Sequence, residues 1–502
     1  EGTIEDGGLL NIWDRGGKKY SVIPDIKNVV IINHMSDYEV EHEVTNNNGD
    51  TRYSFYNIID PEFIKEYCYK NENIPIINFV FEKLGESNGN PGRTYGGVIY
   101  NKTWEFQCDV KCFDVNNIPD EKYVYLIEPL GGIANIIYSN DFTKYISSVV
   151  LNDIRKGKCL LVIGSMSEGN LKEKDIRELY SILEVNNLPE RQILFVQSNY
   201  NLKKQFNDFL KLNPERDEIN LIVTEHKLET SKESFIQIKN GNWDFSNYPK
   251  PPTLNTIDEV KNIKDTFRPY RYLSYNKSLR PDRVALLSLL HKEGLLDYGM
   301  ISMGSETGGS VGYQPWPTKF DFITDPELEK DIMEWSTKLE SLRPMSIEGD
   351  LNVDDFDSGK FEGLNVCGYT YAEQYRNVYF QVVTEDVFEA DSMFFSQTTY
   401  KPIVQLTPIV MFGSPHMIKN LNEVQGFHGA SFMDNSYDDE EDNNLRLRMV
   451  VEEIKRLCNM SIEDLHQGYY NCLDQLESNQ DKMFEQTHSN DDNKLVRYLL
   501  KT

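Results

Sequence analysis

The sequence predicts an α/β protein of two doubly wound halves facing each other across a cleft, followed by a helical C-terminal tail. Three observations carry this. From residue 121 onward, continuous apolar runs that suit strands buried on both faces alternate with amphipathic helical stretches. The alternation restarts after "NYPKPPT", Asn247 to Thr253, whose prolines forbid a helix and favour an extended tether. Finally, 502 residues are too many for one ordinary core.

The elements follow in chain order. Residues 1–120 mix short apolar runs, such as Ile76 to Phe81, with Asn, Asp and Gly clusters, so short strands with irregular connections are expected. "ESNGNPGR" (Glu86 to Arg93) reads as a loop. In residues 121–246, "KYVYLIEPLGG", "KCLLVIGSMSEG", "RQILFVQSN" and "INLIVTEH" read as strands. Between them, "EKDIRELYSILEVNNL" and "LKKQFNDFLKL" have helical spacing. Residues 247–264 are the linker. In residues 265–440, "YRYLSYN", "YGMIS", "NVYFQVVTED" and "TPIVMFG" are strands, while "DRVALLSLLHKEG" and "TTYKPIVQL" are helices. "NSYDDEEDNN" (Asn435 to Asn444) reads as a solvated acidic loop. In residues 441–502, Leu447, Val450, Val451, Ile454, Leu457 and Cys458 share one helical face, and Ser461-x-x-Asp464 resembles a capping box.

Charge and cysteine usage narrow the function. A net charge of −28 argues against a duplex nucleic-acid binder, which needs a basic face, and against an anionic membrane surface. There is no run of 18 apolar residues and no signal-peptide pattern, so no membrane span and a soluble, reducing, cytoplasmic setting are expected. Of seven cysteines only Cys108 and Cys112 are close, with no second Cys/His pair at zinc spacing; two reduced thiols on a hairpin are expected, and no metal.

In doubly wound sheets ligands sit beyond the carboxyl ends of the strands, so the loops there hold the candidates. One loop runs from Asn276 to Arg283, with Pro281 suited to a first helical turn. Arg280 and Arg283 at a helix start suit an anion such as a diphosphate, which guanidinium groups grip bidentately. The competing reading is that they pair with acids such as Asp282 or Glu293, or simply face water. A second loop follows the strand ending at Glu385-Asp386 and leads to Ser396, a helix cap, and to Pro402. Candidate bases for activating a hydroxyl stand at strand ends: Glu128, Glu168 and His226. The alternatives are that Glu128 satisfies loop amides, Glu168 caps a helix and His226 is exposed. "DDFD" (Asp354 to Asp357) reads as an acidic loop, and "SETGGSVGY" (Ser305 to Tyr313) as a flexible one lacking a P-loop lysine.

The segment from Val382 to Pro415, with "SQTTYKPIVQLTPIVMFG" at its centre, resembles the donor-binding signature of fucosyltransferase- and exostosin-like glycosyltransferases and of related phage and bacterial proteins. "LLVIGSMSEG", "ILFVQSN" and "GFHGASFMDNSYDD" are similar to segments of the phage members, so the resemblance extends over residues 120–460. It implies a GT-B fold: two Rossmann-like domains, the acceptor domain at 121–246 and the donor-binding domain at 265–440. It further implies a metal-independent transfer from a nucleotide-sugar co-substrate, with no other cofactor, to a glycan or other hydroxyl acceptor. A viral or bacterial protein, in the host cytoplasm or the virion if viral, would fit. By the same resemblance Arg280 and Arg283 face the donor diphosphate, Asn276 belongs to the same donor-binding loop, and Glu385 lies near the sugar or ribose. Ser396, Gln397 and Thr398 occupy the family's Ser/Thr-Glu-Lys positions. Gln and Thr replace Glu and Lys there, and losing one charge-assisted contact costs about 1.5–3 kcal/mol. Lys401, one turn further on, is the available cation. The replacements equally suit a chain that kept the fold and lost catalysis, as a structural or carbohydrate-interaction protein.

Overall fold

The computed structural model describes residues 10–13, 19–22, 76–81, 109–114, 117–127, 146–165, 169–241, 251–276, 279–303, 316–343, 345–347, 369–388 and 391–485. Strands β1 (Leu10–Trp13) and β2 (Lys19–Val22) pair antiparallel. The first large sheet contains β3 (Ile76–Phe81), β4 (Asp109–Asp114), β5 (Tyr123–Ile127), β6 (Cys159–Ser165), β7 (Ile193–Gln197) and β8 (Asn220–Val223). Its order is β4-β3-β5-β6-β7-β8, and every pairing is parallel. Two of its strands thus come from residues 1–120, where short strands with irregular connections were expected, β3 being the apolar run Ile76 to Phe81. Cys112 lies in β4, which pairs in parallel with β3, so the expected hairpin is not formed; Cys108, like Glu86 to Arg93, lies outside the described residues.

Helices α1 (Ser148–Arg155), α2 (Glu173–Val185) and α3 (Leu202–Leu212) alternate with these strands, α2 and α3 as their apolar spacing predicts and α1 in addition. The apolar stripe of α2, from Ile176 to Leu183, is buried with Ile163, Phe195 and Phe206 in one core. Helix α4 (His226–Lys239) then leaves this core, because Leu228, Phe235 and Ile238 are buried in the core of the second sheet.

After residues 242–250, which are outside the description, the proline segment is fastened to the second half. Thr253 donates from its backbone to the carbonyl of Thr370 at 3.0 Å and accepts from Gln405 Nε2 at 2.7 Å. Helix α5 (Ile257–Asn262) follows with Thr256 and Glu259 closing a capping box.

The second sheet holds β9 (Tyr272–Asn276), β10 (Gly299–Met303), β11 (Phe380–Thr384) and β12 (Ile409–Phe412), all parallel in the order β10-β9-β11-β12. From β9 the chain first winds to one side and then returns to the other, which makes this sheet doubly wound. Helix α6 (Pro281–Lys292) is apolar on every side, and it is buried from Val284 to Leu290 between the sheet and its helical neighbours. Helices α7 (Pro326–Glu340), α8 (Ala372–Arg376), α9 (Gln397–Val404) and α10 (Met417–Glu423) complete this half. The "DDFD" and "SETGGSVGY" segments are not among the described residues.

One expectation changes and another is sharpened. The acidic stretch after Asn435 is no solvated loop throughout: Tyr437 and Asp438 are buried. The Asp438 carboxylate accepts from the backbone N–H groups of Ile418 and Lys419, both at 2.9 Å, and so satisfies the first turn of α10. The expected helical C-terminal tail is present as α11 (Asn443–Asn459), α12 (Ile462–Asn471) and α13 (Leu473–Phe484), and it is packed into the second half. The six-residue apolar face of α11 is buried in the second core, together with Leu465, Tyr469 and Leu476. Ser461 caps α12, its hydroxyl accepting from Asp464 N at 3.0 Å.

Candidate functional site

The direction of winding changes between β9 and β11, and in doubly wound sheets the carboxyl ends of the strands at such a point are where ligands are sought. The chain puts Asn276 at the end of β9 and Arg280 and Arg283 at the start of α6, with Glu385 and Asp386 directly after β11. Sequence reasoning therefore brought Asn276, Arg280, Arg283 and Glu385 to one place.

Their partners are another matter. Arg280 is the extended N-cap residue of α6, with Pro281 at the first helical position. Its Nε and Nη2 donate to the Asp282 carboxylate at 3.2 and 2.7 Å. It also donates to the Asp386 carboxylate and to the carbonyl oxygen of Glu385. Arg283 Nη2 donates to the carbonyl of Thr384 at 3.3 Å and to Asp386 Oδ1 at 3.4 Å. The arginines are thus held by carboxylates of the chain, as the competing reading expected of Asp282. Glu293, the other acid named, pairs instead with Lys455 at 2.7 Å. Burial presses the Arg283 pKa below its usual value and Arg280 adds to this, with Asp386 opposing. At Arg280 burial acts in the same direction, but Asp282, Asp386 and Glu385 outweigh it and raise the pKa.

Glu385 does not project toward a ligand. It is fully buried and reads as the anchor of α9: its carboxylate accepts from Ser396 N at 3.0 Å, from its neighbour Asp386 N at 3.2 Å and from the Thr399 hydroxyl. Burial raises its pKa and Asp386 raises it further, while the bonds from Thr399 and Ser396 oppose. Ser396 is the N-cap as expected, its hydroxyl accepting from Thr398 N at 3.2 Å. Gln397, Thr398 and Lys401 are half-buried on the first two turns of α9.

The same β11–α9 connection docks on the first sheet. Leu171 N donates to Ser392 Oγ at 3.1 Å, and that hydroxyl donates to the Leu171 carbonyl at 2.8 Å. Met393 N donates to Asn199 Oδ1 at 2.9 Å, and Tyr200 N to the Met393 carbonyl at 2.8 Å. Phe394 lies flat against Gly169, where an added Cβ would sit 2.1 Å from the Phe394 Cβ. Residues following β6 and β7 thus meet the connection that follows β11, which joins the carboxyl edges of both sheets. Behind it, Arg446 of α11 is fully buried and ties the neighbouring loops. It donates to the carbonyls of Gly413 at 3.1 Å and Phe388 at 2.7 Å, and burial pushes its pKa down to about 10.

Sequence reasoning missed Asp386, Asn199, Ser392 and Arg446. Arg446 had a signal, since it lies next to Leu447 on the buried side of α11; the others depend on long-range contacts. Glu128 and Glu168 fall outside the described residues, as does the side chain of His226, whose backbone opens α4. Among the described residues no group of three or more His, Cys, Asp or Glu could hold a metal ion, and no helix is long and apolar enough to cross a membrane.

No family model and no curated protein matches this chain. Among solved structures, similarity is found to α,α-trehalose 6-phosphate synthase from Burkholderia multivorans, with TM-score 0.34, 9% identity and coverage of 89% of this chain and 83% of that one. MnaA of S. aureus with UDP gives TM-score 0.33 and 10% identity over 85% of this chain and 96% of that one. An α-glucosyltransferase in complex with UDP and a 13-mer DNA gives 0.33 and 9% over 85% of this chain and 100% of that one. At these scores the similarities decide neither fold nor activity, and the architecture stands on the strand order of the chain itself.

Proposed function

We propose that the protein is a GT-B-type glycosyltransferase that moves a sugar from a nucleotide-sugar donor to an acceptor hydroxyl without a metal. The observation that carries this reading is the placement of Arg280 and Arg283 at a helix start over the switch point of one parallel sheet, with a second parallel sheet docked at the same edge. Such a transfer needs a stabilised diphosphate leaving group and a base for the acceptor. The two guanidinium groups, the N-terminus of α6 and Lys401 would take the leaving charge, and Asn276, Ser396, Gln397 and Thr398 would line the donor. Glu128, Glu168 and His226 are the bases to test on the acceptor side. Glu385 enters as a positioning group for α9.

Calorimetric titration with UDP- and GDP-sugars tests this. Binding that is lost in Arg283→Ala is the expected result; no binding at millimolar donor would retire the reading.

A second reading, a decayed glycosyltransferase that serves as a structural or carbohydrate-interaction protein, is favoured by one observation: both arginines are already held by Asp386, while Gln397 and Thr398 stand at the positions of an acid and a cation. The double substitution Gln397→Glu with Thr398→Lys separates the two. Donor affinity gained by it supports decay; donor turnover by the native chain excludes it.

A further inference from the structure

Three buried polar atoms at the switch point have no hydrogen-bond partner: Asn276 Oδ1, Thr384 Oγ1 and Arg283 Nε. The residues are 1%, 2% and 8% exposed, so solvent does not serve them. They belong to the carboxyl ends of β9 and β11 and the first turn of α6. The pairing of β9 with β11 ends at Ser274 and Val382, and Asn276 and Thr384, two residues further along each strand, lie on the same face as that pair. That is the face under α6, since Tyr272, also on it, donates from its hydroxyl to the carbonyl of Leu295 just after that helix. Arg283, in the first turn of α6, reaches the carbonyl of Thr384 itself.

All three can act as donors. Arg283 Nε–H and the Thr384 hydroxyl donate as they stand. The Asn276 amide bonds Ser274 Oγ at 2.9 Å, and because a hydroxyl both donates and accepts, the amide can be turned so that its nitrogen faces the notch. As it stands the notch leaves two donors and one amide oxygen unmet, and with the amide turned it would present three donors; either way it is incomplete.

We propose that this notch takes one oxygen of a phosphate-type oxyanion, and that Asp386 covers it as a displaceable internal anion. The Asp386 carboxylate holds the outer N–H groups of both arginines, yet its side chain is 49% exposed, so it can move into water when a phosphate arrives. The proposal deepens the donor-site reading and rests on it for the source of the phosphate, a nucleoside diphosphate. Free phosphate compounds share the same chemistry.

The test is titration of the full chain with inorganic pyrophosphate and, separately, with UDP-glucose and GDP-mannose, for the native protein, Thr384→Val and Asp386→Asn. Thr384→Val should weaken pyrophosphate binding about tenfold, the worth of one charge-assisted hydrogen bond. Its melting temperature should be unchanged or higher, because the native hydroxyl has no partner to lose. Asp386→Asn should strengthen binding about tenfold by removing the competing anion. Unchanged affinity in a folded Thr384→Val protein, weaker binding in Asp386→Asn, or no pyrophosphate binding by either the native chain or Asp386→Asn would overturn the proposal. Should Thr384→Val not fold, Asp386→Asn decides alone. Pyrophosphate binding with both expected responses, but no sugar-nucleotide binding, would keep the notch and retire glycosyl transfer. Sugar-nucleotide binding indifferent to both substitutions would do the reverse.

Discussion

The two ends of the β11–α9 connection solve the problem of buried polarity differently. At the rear, Ser392 and Met393 meet Asn199, Gln205 and Leu171 through neutral groups. Asn199 accepts at Oδ1 from Met393 N and Asn201 N and donates to Gln205 Oε1 at 2.7 Å, while Gln205 donates to the Leu171 carbonyl at 2.8 Å. At the front, the Glu385 carbonyl and the Asp386 carboxylate meet Arg280 and Arg283, with the Glu385 carboxylate fully buried against Ser396 and Thr399 and that of Asp386 half in water. Neutral groups that saturate one another define a fixed joint, since any displacement leaves a buried donor or acceptor unmet. A half-exposed carboxylate gains little from staying, and water or another anion can replace it. The connection is therefore anchored at one end and, on the proposal above, exchangeable at the other.

Substitutions can break this contrast. The largest effect is expected for Asn199→Leu, which strands the Met393 N–H and the Gln205 amide in the joint. A loss of about 3–4 kcal/mol in urea unfolding is expected, and a loss under about 1 kcal/mol would mean that water replaces the bonds and the joint is not fixed. Gly169→Ala comes next, because its new methyl collides with Phe394 at the same joint. About 1–3 kcal/mol should be lost, and Phe394→Ala in the same chain should restore part of it if the clash is the cause.

At the front, Glu385→Gln sharpens the comparison through pH. The folded chain raises the Glu385 pKa, so between the ordinary glutamate range and the raised value it binds the proton more tightly than the unfolded chain does. Native stability should fall as pH rises through that window. In Glu385→Gln the slope should flatten, as read from denaturation midpoints across a pH series; an identical slope would place the proton elsewhere. The smallest stability change, within about 1 kcal/mol, is expected for Asp386→Asn, and a larger loss would make Asp386 part of the fixed joint after all.

The contrast also marks how far the sequence could be read. Strands β5 to β12 and helices α2, α3, α6 and α9 were legible because their periodicity is local, and the caps at Pro281, Ser396 and Ser461 because caps are chemistry of three or four adjacent residues. Helix α4 was not legible: "HKLETSKESFIQIK" has a weak apolar stripe, and its few apolar residues serve the core of the other sheet. Helix α7 carried an unread signal, Asp325 capping with Pro326 behind it. The location of the candidate site was legible, since Asn276, Arg280, Arg283 and Glu385 all end strands or begin helices. Their partners were not, because Arg283 meets Asp386 across 103 residues of chain.

Local periodicity and capping thus determined by themselves that this chain builds strands and helices in alternation, and that arginines would stand where a helix meets the end of a strand. Which carboxylate those arginines hold, which way Glu385 turns and which sheet receives α4 were decided only when distant segments packed. Each of these outcomes satisfies a buried group with a partner remote in sequence, and no local pattern encodes such a pairing.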